Sequence, residues 1–91
     1  MTIKWVAQDP LVMNGEPFLY GTRLTVRRLL ELRAAGYTVD RLVGEMPELR
    51  LVGIARAYAF AREHRERYAE FFDASGALVG PDLTADELAR V

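Results

Sequence analysis

The hydrophobic and polar positions of the chain begin with two short β-prone runs. Residues 3–6 (Ile-Lys-Trp-Val) alternate weakly, residues 17–20 (Pro-Phe-Leu-Tyr) are aromatic, and the turn dipeptide Asn14-Gly15 lies between them. Pro10 and Pro17 confine such strands to sheet edges or strand starts, because proline cannot donate a ladder hydrogen bond. The pattern therefore predicts a short N-terminal β-hairpin.

Two stretches with helical spacing follow this hairpin. The first predicts a helix from about Thr25 to Ala35, with Thr25 as the N-cap and Gly36 placed to end it in a left-handed turn. The second predicts a helix of about two turns, capped by Thr38 and stopped by Pro47.

A third and longer helix is predicted to begin near Leu51. Its apolar stripe consists of Ile54, Ala57, Tyr58, Ala61, Tyr68 and Phe72. Its distal half carries opposite charges at four-residue spacing, in the pairs Arg62–Glu66 and Glu63–Arg67. We therefore expect one long helix whose distal half projects into water.

The helical pattern ends after Phe72. Residues 73–76 and Gly80-Pro81 interrupt it, and Thr84 is placed to cap one or two further helical turns. We expect a helical domain with an N-terminal β element over residues 1–72 and an acidic C-terminal tail over residues 73–91.

The composition is that of one ordinary globular domain. With 91 residues, 51% of them hydrophobic and 27% charged, the chain is long enough for one core and too short for two. Arginines interrupt each apolar stretch before it reaches the ~20 residues of a membrane helix, and residues 1–6 lack the features of a secretory signal. We expect a cytoplasmic protein with no membrane partner.

The net charge of −1 hides a marked asymmetry along the chain. Residues 23–67 contain ten arginines against six acidic residues, whereas residues 68–91 contain five acidic residues against Arg90. This favours a body that meets an anion and a tail that meets a cation, although both regions are explained equally well as solvated surfaces.

No arrangement of residues in the sequence is convincing as a catalytic, metal or cofactor site. Without cysteine there is no thiolate metal site, and the one histidine, His64, lies in a run of charges typical of a helix surface. Gly15 and Gly21 are not followed by the lysine and hydroxyl residue of a phosphate-binding loop. We expect no metal, no cofactor and no enzymatic activity, and therefore a protein that works by binding.

The second and third predicted helices, joined by a short turn, resemble a helix-turn-helix. In that motif the second helix enters the major groove of DNA, while other basic side chains contact phosphates. Arg50 and Arg56 would lie on its leading turns, and Gly53 between them would leave room for close approach. The alternative is a plain three-helix bundle with a solvated arginine face.

Residues 9–26 resemble the signature of a prokaryotic family known as Domain of Unknown Function 433. The matching features are Asp9-Pro10, Gly15-x-Pro17 and Gly21-Thr22-Arg23, followed by Ala35-Gly36 and Pro47-x-Leu49. The resemblance implies a homeodomain-like helical bundle with a short β element. It also implies similarity to VapB-type antitoxins, which act on toxins with a PIN-like nuclease fold.

The resemblance also implies roles for single residues. Gly15, Pro17, Gly21 and Thr22 would shape the hairpin and its entry into the first helix, and Arg23 would either do the same or reach a phosphate or a partner subunit. Where the family commonly caps the third helix with a hydroxyl residue and an acid, this chain has Arg50 and Gly53, and Arg56 replaces a usual alanine. These differences make the helix start more basic.

The leading hypothesis is an antitoxin-like protein that binds a PIN-like nuclease toxin and operator DNA. Arg50, Gly53, Arg56 and Arg23 would contact the DNA. The tail would contact the toxin through apolar anchors and carboxylates: Leu78, Val79, Asp82, Leu83, Asp86, Glu87 and Leu88. In the competing interpretation the tail folds back, with Leu83 and Leu88 covering the third helix.

Two further functions remain open, and a homodimer is expected in either case. The chain could be a stand-alone DNA-binding regulator, or a protein-interaction module with no nucleic-acid role. We expect the dimer because a small core leaves Trp5, Phe18, Leu19 and Tyr20 in a β element with open edges.

Overall fold

The computed structural model describes residues 4–91 and is mainly helical. Ile3, the first residue of the predicted β-prone run, lies outside the described residues. Within them the elements are, in chain order, β1 (Val6–Ala7), β2 (Phe18–Leu19), α1 (Val26–Ala34), α2 (Val39–Glu45), α3 (Leu51–Glu63) and α4 (Ala85–Ala89). Short 3₁₀ turns lie at Met13–Gly15 and Ala69–Phe71. The described residues thus form four α-helices and a two-stranded sheet.

The predicted N-terminal hairpin is present. β1 and β2 pair antiparallel, with Val6 opposite Leu19 and Ala7 opposite Phe18. The other edge of β2 is already occupied, because the Leu19 N–H donates to the Leu24 carbonyl at 2.9 Å and Phe18 bridges to Thr25. That edge therefore cannot pair with a second copy of the chain. The homodimer prediction had assumed that the edges of the β element were open.

Threonine caps fix three helix starts where the sequence predicts them. The side-chain oxygens of Thr25, Thr38 and Thr84 accept hydrogen bonds from backbone N–H groups in the first turns of α1, α2 and α4. At α4 the Glu87 carboxylate also accepts from the Thr84 N–H at 2.8 Å, which completes a capping box. Gly36 follows α1 with a φ of 102°, as its predicted role requires.

The third helix is shorter than predicted. α3 ends at Glu63, and residues 64–68 turn back so that Tyr68 is fully buried, with the Arg27 guanidinium 5.2 Å from its ring centroid. A continuing helix would have carried Tyr68 about 7 Å along the axis, away from this contact. The ion pairs predicted along the distal half are wrong, because Arg62 pairs with Asp82 and Arg67 with Glu16.

One core joins the body to the C-terminal segment. Its buried hydrophobic residues are Leu19, Val26, Leu29, Leu30, Val39, Leu42, Leu49, Ile54, Ala57, Tyr58, Ala61, Tyr68, Leu78 and Leu83. Leu78 and Leu83 lie beyond residue 72, so the tail folds back on the body as the competing interpretation expects. Leu88 differs from that interpretation, since it is 55% exposed.

Candidate binding surfaces

Most arginines of the basic middle segment are neutralised by carboxylates of the same chain. The pairs are Arg27 with Glu16 and Glu70, Arg28 with Glu31, Arg33 and Arg62 with Asp82, Arg41 with Glu45, and Arg67 with Glu16. Arg23, Arg50 and Arg56 are exposed and form no ion pair with any residue of 4–91. Their charges therefore remain free to meet an external anion.

Arg23 and Arg50, far apart in sequence, border two adjoining surface grooves. The larger groove, about 700 Å³, is lined by Val12, Met13, Phe18, Gly21, Thr22, Arg23 and Glu48. The smaller, about 370 Å³, is lined by Trp5, Tyr20, Gly21, Glu48 and Arg50. Because Gly21 and Glu48 line both, the two arginines lie on one continuous surface around a single carboxylate.

The structure places Gly53 away from this exposed surface. Gly53 is buried, and a Cβ atom added there would lie 3.4 Å from Cε3 of the Trp5 indole. The room that its small size provides is taken by the chain's own tryptophan, so Gly53 does not give DNA a close approach to α3.

Arg56 lies on the outer face of α3 among small or apolar neighbours. Val52 and Ala59, one turn to either side, are partly exposed. The helix contains no Asn, Gln, Ser or Thr, and those side chains, with arginine, make most hydrogen bonds to base edges. Any sequence-dependent contact by this helix would therefore depend on its arginines.

Two large hydrophobic side chains of the N-terminal β element are exposed: Leu11 in the loop between β1 and β2, which the sequence interpretation did not single out, and Tyr20 directly after β2, which it placed in the open β element. Leu11 is 94% exposed and Tyr20 is 62% exposed. Met13 has a φ of 51°, a left-handed conformation that costs a non-glycine residue roughly 1–2 kcal/mol. The Asn14-Gly15 dipeptide signalled the turn, but only the folded loop shows which side chains it leaves in solvent.

A buried arginine holds the C-terminal segment against the body. Arg33 of α1 is 3% exposed and donates to the carbonyls of Leu78 and Val79, each at 3.2 Å, and to Asp82 Oδ1 at 3.3 Å. Its guanidinium lies 4.5 Å from the ring centroid of Tyr58. Burial raises the pKa of Tyr58 to about 12, although the nearby positive charge of Arg33 acts in the opposite direction.

The acidic residues of the tail are engaged by the chain itself. Asp82 accepts from Arg33 and, at 3.1 Å, from Arg62. Glu87 is buried in the capping box of α4, and Asp86 pairs with Arg90 at 3.6 Å. Asp73 accepts hydrogen bonds from the side chain and backbone of Ser75 and from the Ala77 N–H, which lower its pKa.

The apolar residues predicted to anchor a partner divide into two groups. Leu78 and Leu83 are buried in the chain's own core, whereas Val79 and Leu88 are exposed. Of the predicted tail site, the exposed part is therefore Val79, Leu88 and the paired carboxylates Asp82 and Asp86, next to the exposed Val91.

Residues 4–91 show neither a metal-ligand cluster nor a membrane-spanning helix. Within that range, no group of three or more histidine, cysteine or carboxylate side chains is arranged to hold a metal ion. None of the helices in this part of the chain combines the length and the apolar character needed to cross a bilayer.

Comparison with known proteins gave a single finding. A family model described as a protein of unknown function, DUF433, matches residues 6–61, which is more than half of the chain. No curated protein and no solved structure matched. The matched range includes the hairpin and ends inside α3, so the segment clamped by Arg33 lies beyond it.

Proposed function

We propose that this chain, which belongs to the DUF433 family, is an antitoxin-like protein of the cytoplasm that binds operator DNA and neutralises a PIN-like nuclease toxin. The observation that carries the proposal is that Arg23, Arg50 and Arg56 are exposed and have no ion pair among residues 4–91, whereas every other exposed arginine of this range except Arg65 has a carboxylate partner. The antitoxin role itself rests on the resemblance of residues 9–26 to the family signature.

In this proposal α2 and α3 act as a helix-turn-helix. Residues 46–50 join the two helices, and Arg50 is the residue that precedes α3. Arg50 and Arg56 then provide phosphate contacts near the leading turns of α3, which position the protein on the duplex. Arg23 either adds a third phosphate contact or contacts the partner.

The DNA role is tested by binding of the purified full chain to the DNA upstream of its own gene. The double variant Arg50→Ala/Arg56→Ala should bind at least about tenfold more weakly, with a shallower dependence of affinity on salt concentration. Arg28→Ala/Arg41→Ala is the matched control, because both arginines are exposed and already paired with a glutamate. Absence of binding by the intact chain at low salt, alone or with the product of the neighbouring reading frame, would exclude the DNA role.

A second candidate function is a protein-interaction module that does not bind nucleic acid. The exposed Leu11 and Tyr20 favour it, because large apolar side chains left in solvent are typical of protein interfaces. A chain that binds the neighbouring gene product and shows no salt-dependent DNA binding would fit this alternative.

The homodimer is a separate prediction. Because both edges of β2 are paired within the chain, a dimer would have to use side-chain surfaces more than pairing of this strand. Light scattering at tens of micromolar tests it, and a monomer mass would reject it.

A further inference from the structure

We infer that the protein partner docks on the hairpin face, defined here as Leu11, Val12, Met13, Phe18 and Tyr20 with Arg23 at its edge, and not on the C-terminal tail. The partner's contact surface is apolar with carboxylates at its border. This inference rests on the proposed function, since it concerns where the neutralised partner binds.

The hairpin face has the composition of a protein-binding surface. Aromatic residues, methionine and arginine are the residue types enriched in the centres of protein interfaces. Here Met13, Phe18 and Arg23 line one groove, and Leu11 stands almost fully exposed beside Val12. An apolar partner segment would remove these side chains from water.

The backbone of the loop is also unusual at this surface. Met13 and Asn14 both have positive φ angles, 51° and 56°. A bulky side chain in the left-handed region is uncommon, and such strain concentrates where a side chain is held for contact. Met13 is held in this conformation while it lines the groove.

The charges around the face favour a partner that carries carboxylates. Arg23 and Arg50 border the two grooves without an ion pair among the described residues, against the single carboxylate of Glu48. A two-fold contact with a second copy would place this positively charged surface against itself, which disfavours self-association through this face. A different protein with acidic residues beside an apolar segment complements both properties.

The tail lacks the corresponding properties. Its carboxylates Asp82, Asp86 and Glu87 are bonded within the chain, so they offer little long-range attraction to a basic partner. Leu78 and Leu83 are buried and would have to leave the core before they could bind anything else.

Titration of full-length variants against the purified product of the neighbouring reading frame tests the inference. Leu11→Asp and, separately, Arg23→Glu should each weaken the complex by more than about tenfold. Leu88→Asp is the matched control, because Leu88 is also an exposed leucine but lies on α4, and it should leave the affinity within about threefold. Circular dichroism checks that each variant keeps its fold, and Arg23→Glu gives an independent test should Leu11→Asp prove unfolded.

The outcomes separate this inference from the proposed function. If the intact chain does not bind the neighbouring gene product, the neutralising function fails and the inference with it. If the intact chain binds but only Leu88→Asp disrupts the complex, the function stands and the hairpin face is overturned as its site. If Leu11→Asp converts a dimer of the chain alone into a monomer, a second copy occupies the face and the inference is also overturned.

Discussion

Replacing Arg33 by methionine should destabilise the protein by about 3 kcal/mol. The methionine keeps most of the length of the side chain but leaves the buried carbonyl of Leu78 and the part-buried carbonyl of Val79 without their donor. Hydrogen bonds to a charged group contribute about 1.5–3 kcal/mol each, and these two, at 3.2 Å, belong at the lower end. The ion pair with Asp82 adds little, because that carboxylate is 52% exposed and keeps Arg62 as a partner.

Thermal and urea unfolding of the full chain measure this change. For a domain of this size, 3 kcal/mol corresponds to a fall in Tm of roughly 12–24 °C. Arg28→Met is the control on the same helix, since Arg28 is exposed and its pair with Glu31 should contribute under about 1 kcal/mol. If Arg33→Met and Arg28→Met unfold within about 0.5 kcal/mol of each other, the clamp on the C-terminal segment does not stabilise the fold as argued.

Three further predictions concern single positions. Gly80→Ala should lower the free energy of unfolding by at least about 2 kcal/mol, because φ is 98° and the new Cβ would lie 2.0 Å from the Arg33 carbonyl oxygen. An unchanged urea unfolding curve would contradict this. Gly53→Ala should instead stabilise the protein by about 0.5–1 kcal/mol, because alanine favours the helix and its Cβ would make a van der Waals contact with the Trp5 ring at 3.4 Å. A fall in Tm would contradict this and show that the indole cannot adjust. Burial raises the pKa of Tyr58 to about 12, so the stability that depends on its neutral form is complete below pH 10 and is lost between pH 10 and 12. A tyrosinate absorbance titration in which Tyr58 ionises at the ordinary pKa of 10 would contradict its burial.

The candidate surfaces were only partly predictable. Arg50 and Arg56 were predicted from the sequence to lie on an exposed basic surface, and both are exposed; Arg23, for which a role in shaping the hairpin was the alternative to a phosphate or partner contact, is exposed as well. Gly53 was assigned to the same surface, yet it faces inward against Trp5. Helical periodicity gives the angular position of a residue, but it does not say which neighbouring element covers that side of the helix.

The C-terminal segment shows the same limit more strongly. Its composition, acidic with spaced leucines, fits both an unattached partner-binding tail and a segment that folds back. Arg33 decides between the two, because it is buried and donates to the carbonyls of Leu78 and Val79, 45 and 46 residues away. In the sequence, Arg33 is one basic residue among ten in the middle of the chain, and nothing local distinguishes it from the exposed ones.

The helix starts, the hairpin and the mainly helical class could be predicted from the sequence alone. Capping by Thr25, Thr38 and Thr84 and the turn at Asn14-Gly15 are decided within about four residues, so local side-chain chemistry is sufficient to predict them. Long-range packing sets where α3 ends, which arginines form ion pairs, and which hydrophobic residues stay in solvent. Each of these depends on residues distant in the chain that share one core, and burial of those residues outweighs the weaker local preferences.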